Sequence, residues 1–278
     1  MSELVVRRLL IDLETPLPRH WCAGDAFRTA FFNALSMSFP VGEQFFIDAV
    51  RNGLKNLPAD QQDRYKAEVQ GFIGQEATHR RIHSLFNDHL DKQGLVNDWA
   101  PRAERNMQML AGTNPLHALA ITAANEHFTA IFAEWLLRNP DLLAPCEPRL
   151  QTMWLWHSAE ESEHKNTAFD VYAALGGNHT WRIKWFRRIT VVFLSDTLRQ
   201  TVNNLSHDGT LWKWSTWKSA AGFLFGKCGL VRQTFKPWRA YLREDFHPDQ
   251  QATELSARWL ADNARAYTMV GAVAQGAA

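Results

Sequence analysis

The chain has 278 residues, 46% of them hydrophobic and 21% charged, with a formal net charge of +1. This balance is typical of a globular protein with a sizeable core, and it shows no overall bias toward nucleic acid, so no nucleic-acid partner is expected. The cysteines, Cys22, Cys146 and Cys228, are far apart and lack a C-x-x-C spacing, which predicts separate reduced thiols. Acidic residues and prolines stand at the N-terminus where a signal peptide needs an apolar run, so a cytoplasmic location is expected.

The first 56 residues read as an arm followed by two helices. Residues 1–20 carry a β-branched and leucine run and then Thr-Pro and Leu-Pro breaks, which predicts an extended arm. A helical pattern begins at Asp25 and is interrupted at Pro40, which suits the first turn of a fresh helix that runs to about Leu54. Glu43 then lies in the first turn of that second helix, next to apolar side chains.

Two longer helices come next. The first is predicted from about Ala59 to Leu90, carries Glu76 and His79 at i, i+3, and has Gly94 as its cap. A short helix near 99–111 leads to Asn114-Pro115, an N-cap followed by proline at the first helical position. The helix that starts there is apolar nearly all round, stops before Pro140, and is therefore predicted to be buried, although Glu126 lies in its middle.

A helix predicted over residues 151–175 carries the strongest chemical signal. Its His157, Glu161 and His164 stand at i, i+4 and i+7, so they point the same way within about 60°. Two imidazoles and a carboxylate on one helical face make half of a metal site. The other half is expected from the preceding helices.

The ordered set of motifs is more informative than any one of them. The pattern is E, E-x-x-H, E and H-x-x-x-E-x-x-H in successive helices, and four-helix carboxylate proteins build dinuclear iron or manganese sites from similar parts. Glu126, flanked by Ala and Phe, would cost several kcal/mol if buried unpaired, and the neighbouring turns offer no Lys or Arg. Two divalent metals would neutralise the four carboxylates. The candidate ligands are Glu43, Glu76, His79, Glu126, His157, Glu161 and His164.

Alternatives to individual ligands stay open in the sequence. His83 lies one helical turn beyond the E-x-x-H pair and faces a similar direction. Glu160 could replace its neighbour as a ligand if the helix were rotated slightly. Glu163 and Lys165 point away and are expected in solvent. His127 turns about 100° from the neighbouring glutamate, so it is expected to pack in the core or to support a ligand.

The tail has a different character. Six of the 12 tryptophans fall between Trp181 and Trp238, and a final polar helix is predicted near 250–268. An apolar stripe at helical spacing consists of Trp181, Trp185, Ile189 and Val192. Basic residues are expected over much of the remaining surface, namely Arg182, Lys184, Arg187 and Arg188. The stripe either packs on the bundle or docks at a membrane interface.

These patterns predict an all-α protein, a ferritin-like helical bundle with additional C-terminal helices. A single helical domain is expected over residues 1–278, with a metal-binding core over about 25–177 and appended helices over about 180–278.

The motif order resembles that of the dinuclear non-haem iron N-oxygenases of the p-aminobenzoate N-oxygenase type, members of the ferritin-like group, which also use a third histidine. The run WHSAEESEHKNTAFDVY is similar to a bacterial family catalogued as predicted metal-dependent hydrolases. The resemblance covers roughly residues 25–175.

The resemblance implies roles for the ligands. Glu76 and Glu161 would bridge two metal ions, Glu43 and His79 would complete one of them, and the other would be held by Glu126, His157 and His164. The ions are expected to be iron, with manganese as the alternative.

Three functions remain open in the sequence. The first is an oxygenase that activates dioxygen on an apolar or aromatic small molecule, with electrons from an external donor. The second is a hydrolase with a dinuclear metal centre. The third is a non-catalytic protein that binds iron or docks on a membrane. A homodimer is a further expectation.

Overall fold

The structure, a computed structural model, describes residues 4–110 and 112–270. Two short strands, β1 (Arg7–Leu9) and β2 (Tyr267–Met269), pair antiparallel with Leu9 opposite Tyr267. The helices of the described residues are α1 (Ala26–Asn56), α2 (Ala59–Lys92), α3 (Trp99–Gln108), α4 (Pro115–Arg138), α5 (Pro148–His164), α6 (Thr167–Ala174), α7 (His179–His207), α8 (Trp214–Phe225), α9 (Leu230–Ala240) and α10 (Glu254–Asp262). The all-α helical bundle is confirmed.

Several helices begin where the sequence places a cap. Asp25 accepts a hydrogen bond from the backbone N–H of Arg28 at 2.9 Å and starts α1. Asn114 does the same for α4, ahead of Pro115 at the first helical position. Within the described residues α3 ends at Gln108, whereas Ala111, at the predicted end of this helix, lies outside them.

Pro40 does not start a new helix, and that prediction is wrong. The helix α1 runs through it without a break. A proline in a helix interior leaves the carbonyl four residues earlier without its donor. Here the side chain of Asn87, on α2, donates to the carbonyl of Ser36 at 3.0 Å. The neighbouring helix therefore supplies the hydrogen bond that Pro40 cannot make, and α1 stays continuous.

The predicted helix 151–175 is two helices, because α5 and α6 are separated by a turn at Lys165 and Asn166. The C-terminal segment holds this turn, where Lys165 Nζ donates to the Gln251 carbonyl at 2.6 Å and Asn166 donates to Asp249. Lys165 is buried, so its predicted solvent exposure is also wrong.

The N-terminal arm lies across α2, and two glycines make room for it. A Cβ at Gly71 would lie 2.5 Å from Leu4 Cβ, and one at Gly74 would lie 2.3 Å from Val6 Cγ2. Real side chains essentially never approach so closely, so only glycine allows this contact. The arm is thereby fixed on the helix that carries two candidate ligands, and Arg7 points into the protein, only 7% exposed.

The tail packs on the bundle, with α7 against α1 and α4, and α9 against α4. Trp181, Trp185 and Ile189 are half-buried against the core, as the packing alternative predicts. Arg182 is buried, with its guanidinium 5.1 Å from the ring centre of Tyr241, so its predicted surface position is wrong. No helix of residues 4–110 and 112–270 has both the length and the apolar character needed to cross a membrane.

Two of the three cysteines are neighbours. Cys22 Sγ and Cys146 Sγ lie 3.0 Å apart in the core as free thiols, so the prediction of separate thiols is wrong for this pair. Cys228 is exposed and free.

Candidate metal centre

Four helices bring all seven candidate ligands to one buried place. Each of these side chains is at most 4% exposed: Glu43 from α1, Glu76 and His79 from α2, Glu126 from α4, and His157, Glu161 and His164 from α5. The break between α5 and α6 falls after the last of them, so the i, i+4, i+7 spacing of the α5 triplet is kept on one helix.

The donor atoms form three overlapping groups in which all atoms lie within 4.8 Å of one another. The groups are Glu43–His79–His157, Glu76–His79–Glu161 and Glu76–Glu126–His164. The outer two could each hold one cation, and the middle group connects them. His157 lies with Glu43 and His79, whereas the resemblance assigns it to the other metal ion.

Glu160 is a hydrogen-bond partner of a candidate ligand. Its Oε2 accepts from His79 Nε2 at 3.0 Å, and its Oε1 accepts from Arg7 at 3.1 Å. His79 therefore turns Nδ1 toward Glu161, 3.4 Å away. A carboxylate behind a metal-binding histidine fixes its tautomer and raises its basicity. The role of Glu160 is thus to orient His79, and its replacement of Glu161 as a ligand has no support in this geometry.

His83 orients His157 in the way that Glu160 orients His79. His157 Nδ1 donates to His83 Nε2 at 2.7 Å, which leaves His157 Nε2 facing Glu161 at 2.8 Å. His83 Nδ1 in turn donates to Ser36 Oγ at 2.8 Å, and Ser36 donates to Asn87 at 2.7 Å. This chain of donors fixes which nitrogen of His157 faces the carboxylates.

Gln75 holds the third histidine. Its Oε1 accepts from His164 Nδ1 at 2.9 Å, and its amide donates to Glu163 at 2.8 Å. His164 Nε2 then lies 3.2 Å from Glu76 and 3.4 Å from Glu126. All three histidines therefore use one ring nitrogen for an outer partner and turn the other inward. Glu163 also binds Arg7 at 2.7 Å, so the prediction that Glu163 points freely into solvent is wrong.

The inward-facing atoms lack other partners. Both carboxylate oxygens of Glu43, Glu76 and Glu126, one of Glu161, and the inner nitrogens of His79 and His164 are buried without a hydrogen bond from any described residue. Buried polar atoms are normally paired, because leaving one unpaired costs about 1–3 kcal/mol. So many unpaired donor atoms around one point fit metal ions, which accept lone pairs from carboxylates and neutral imidazoles.

Without metal, protons must neutralise this cluster. Burial, and then the charge of Glu76, raise the pKa of Glu43 and of Glu126 well above the ordinary value. For His79, burial lowers the pKa, but the hydrogen bond to Glu160 and the nearby carboxylate of Glu161 outweigh burial and raise the pKa to about 10. For Glu161, burial is outweighed by the charge of His164 and by the hydrogen bond with His157, so the pKa of Glu161 falls well below the ordinary value.

We therefore expect the metal-free protein to lose stability as the pH rises from about 6.5 to about 10. In this window the folded state keeps protons on Glu43, Glu126 and His79 that the unfolded chain releases at its ordinary pKa values of 4.5 and 6.5, so the free energy of unfolding falls. His157, whose pKa burial lowers to about 4, has the opposite effect, but only below 6.5. Metal replaces these protons, so the Tm difference between metal-loaded and metal-free protein should widen from pH 6.5 to 9. A Tm difference that does not change with pH would contradict the prediction that the metal-free cluster is protonated.

We expect Glu160→Ala to weaken metal binding about 10–100-fold without abolishing it, since it removes a hydrogen bond behind one ligand. Competition with a chelator measures this affinity. Glu68→Ala is the matched control, because Glu68 is also a buried glutamate but bonds Thr167, 3.0 Å away, instead of a candidate ligand. Equal affinities in the two variants would show that Glu160 does not support the site.

Some of these supporting residues have no signal in the sequence. Arg7 comes from the distant arm, and nothing in its neighbourhood points to Glu160. Gln75 and Glu160 each stand directly before a predicted ligand, and that adjacency is the one available signal. His127 packs against Tyr241 and donates to the Pro237 carbonyl at 3.1 Å, which is the first of the two roles, packing or support of a ligand, that the sequence leaves open.

The fold and the site define an all-helical protein with a buried cluster of glutamates and histidines that could hold metal. A family model described as predicted metal-dependent hydrolase matches residues 5–252, and the chain belongs to this family. Neither the curated proteins nor the solved structures contain a match to the chain. The family description supports a metal-dependent enzyme, and it favours the hydrolase alternative over the oxygenase that the resemblance implies.

Proposed function

We propose that the chain is a hydrolase with a dinuclear metal centre, held by Glu43, Glu76, His79, Glu126, His157, Glu161 and His164. The observation that carries the proposal is the set of buried, unpaired donor atoms that converge from four helices. The delivery of these donors by four helices also supports a ferritin-like arrangement within a single domain.

The donor set fits the group it would hold. Glu43, His79 and His157 would bind one ion, Glu76, Glu126 and His164 the other, and Glu161 would lie between them. Two such ions, when bound, supply Lewis-acid chemistry for hydrolysis or, if they are iron, electrons for dioxygen.

The protein's own residues prepare the site for this chemistry. The outer partners Glu160, His83 and Gln75 each bind one ring nitrogen of a histidine and so turn its other ring nitrogen inward. Burial excludes bulk water, which strengthens every charge interaction in the cluster. Glu161 stays ionised because the histidines around it favour its charged form, so it can bind cations without losing a proton.

A second candidate is an oxygenase with two iron ions and an external electron donor. One observation favours it. Four carboxylates and three imidazoles form a ligand set that is rich in carboxylate, and mixed imidazole and carboxylate ligation suits iron and manganese.

One set of experiments separates the two candidates. For the hydrolase, protein loaded with Zn²⁺ or Mn²⁺ should cleave a 4-nitrophenyl ester of a medium-chain acid in the absence of dioxygen. Loss of the activity with a chelator, and its return with metal, would tie it to the centre. Inactivity with every divalent metal, together with a new visible band when reduced iron-loaded protein meets air, would overturn the hydrolase and favour the oxygenase.

A further inference from the structure

An apolar cavity of about 750 Å³ lies between α1, α4, α7, α8 and α9. Its lining contains only apolar side chains and five threonines, and no charged residue. Four of the threonine hydroxyls donate to carbonyls of their own helices, so these hydroxyls cannot also donate a hydrogen bond to a molecule in the cavity. The hydroxyl of the fifth, Thr201, is buried and has no partner among the described residues. The cavity is in the size range of small-molecule sites and suits an apolar molecule with one polar group.

One lining residue of the cavity, Phe39, also packs against the candidate metal centre. Phe39 lines the cavity, and its ring centre lies 4.9 Å from that of His157. On α1, Phe31, Leu35 and Phe39 line the cavity at intervals of four residues. Glu43 lies one helical turn beyond Phe39, so the lining residue that packs against His157 is also next to a second candidate ligand on α1.

The outer end of the cavity has an exposed apolar rim. The large apolar residues that line the cavity and are also exposed are Leu194, Leu198, Trp217, Phe225, Val231 and Phe235. Leu198 is 60% exposed and Phe225 is 63% exposed, while Trp212, in the loop between α7 and α8, is 92% exposed. Exposed apolar side chains concentrated at one place mark an interaction surface.

The part of the chain that contains this rim, residues 177–243, carries a large excess of positive charge. Residues 177–243 contain 12 Lys and Arg but only two acidic residues, Asp196 and Asp208, whereas the whole chain has a net charge of only +1. Both aspartates are already paired with arginines, Arg102 and Arg19 respectively. On α7, Lys184 and Arg187 precede Val191 and Leu194 by seven residues, so they share a helical face with exposed Val191 and with Leu194 of the apolar rim.

We infer that this surface, formed by α7, α8 and α9, docks on an anionic lipid membrane and that the cavity takes a long-chain apolar substrate from the bilayer to the metal centre. The docking surface combines exposed Trp, apolar side chains and cations, which suits the headgroup region of a membrane. A second copy of the chain would bring two positive surfaces together, which disfavours it as the occupant. The role of the cavity rests on the proposed function, while docking does not depend on the chemistry.

Sedimentation of the full-length protein with lipid vesicles tests the docking. Wild-type protein should sediment with vesicles that contain phosphatidylglycerol at low salt, and it should stay in the supernatant with pure phosphatidylcholine or at about 1 M salt, where the Debye length is about 3 Å. Each basic residue near an anionic leaflet strengthens binding about fivefold, so Lys184→Glu with Arg187→Glu should weaken it by at least about tenfold. Wild-type protein that stays in the supernatant at low salt would overturn the inference, as would a stable dimer in solution that this double variant converts to monomers.

Binding of a fluorescent chain tests the cavity. Undecanoic acid with a terminal dansyl group should bind wild-type protein with enhanced emission, and Ala221→Trp should weaken binding by at least about tenfold, because Ala221 is exposed and lines the cavity. Ser215→Trp is the matched control on the same helix, since Ser215 is exposed and does not line the cavity. Equal binding by the two variants would overturn the assignment of the cavity. Probe and vesicle binding by a protein without ester or dioxygen activity would refute the proposed function and the delivery of a substrate to the metal centre, and would leave the membrane docking and the binding of an apolar chain standing.

Discussion

Replacing His164 with alanine is expected to lower the metal content by about one ion per chain, and with it to remove the stabilisation that this ion gives to the fold. The inner nitrogen of His164 lies 3.2 Å from Glu76 and 3.4 Å from Glu126, so its loss leaves one of the two sites with carboxylates alone. A metal present at a thousand times its Kd stabilises the folded state by about 4 kcal/mol, and this term should disappear for the affected site. Elemental analysis and the Tm with and without added metal measure both effects.

His127→Ala is the matched control, because it also removes a buried histidine. His127 lies next to the candidate ligand Glu126 but packs against Tyr241 and Phe246. Its loss should lower the Tm through lost packing, while the metal content and the metal-dependent rise in Tm remain those of wild type. An H164A protein that stays fully loaded would contradict the assignment of His164 as a ligand.

The helices could be predicted where local signals decide, and not where a distant contact decides. The beginnings of α1 and α4 follow from Asp25 and Asn114, whose side chains cap the helix within the next three residues. At Pro40 the local rule predicts a break, but Asn87 from another helix replaces the missing hydrogen bond. At Lys165 the local pattern predicts a continuous helix, but contacts with the C-terminal segment hold a turn. Neither contact leaves a periodic pattern in the sequence from which it could have been predicted.

The same distinction applies to the candidate site. The seven residues could be selected from the sequence because helical spacing places their side chains on inward faces of four helices. Which of them lie together depends on how each helix is rotated against the others, and spacing along one helix does not determine that. The grouping of His157 with Glu43 and His79, and the entry of Arg7 behind Glu160, both come from such packing.

The arm illustrates how distant parts of the chain serve the site. Gly71 and Gly74 on α2 let the arm approach within contact distance, and the pairing of β1 with β2 holds the arm from its other side. Arg7, in β1, then reaches Glu160 and Glu163 on α5. Glu160 binds His79 directly, whereas Glu163 binds Gln75, which in turn binds His164. One arginine therefore supports the hydrogen-bond partners of two candidate ligands.

Glu126→Met should change stability in opposite directions with and without metal. In the metal-free protein Glu126 is a buried carboxyl without a hydrogen-bond partner among the described residues, and such a group costs about 1–3 kcal/mol. Methionine has a similar length and no polar atom to satisfy, so the metal-free variant should unfold at a higher temperature than metal-free wild type. With metal present the order should reverse, because the variant lacks a ligand and gains less from binding.

Glu134→Met, on the same helix, is the control for this reversal. Glu134 forms a partly exposed ion pair with Arg138, so its replacement should change stability by no more than about 1 kcal/mol, with or without metal. Thermal unfolding of the three proteins, with chelator and with saturating Mn²⁺, gives the comparison. If Glu126→Met lowered the Tm of the metal-free protein, the carboxyl would be contributing to the fold itself. Its burial would then no longer point to a metal ion, because a residue kept for binding should cost the fold stability when the metal is absent.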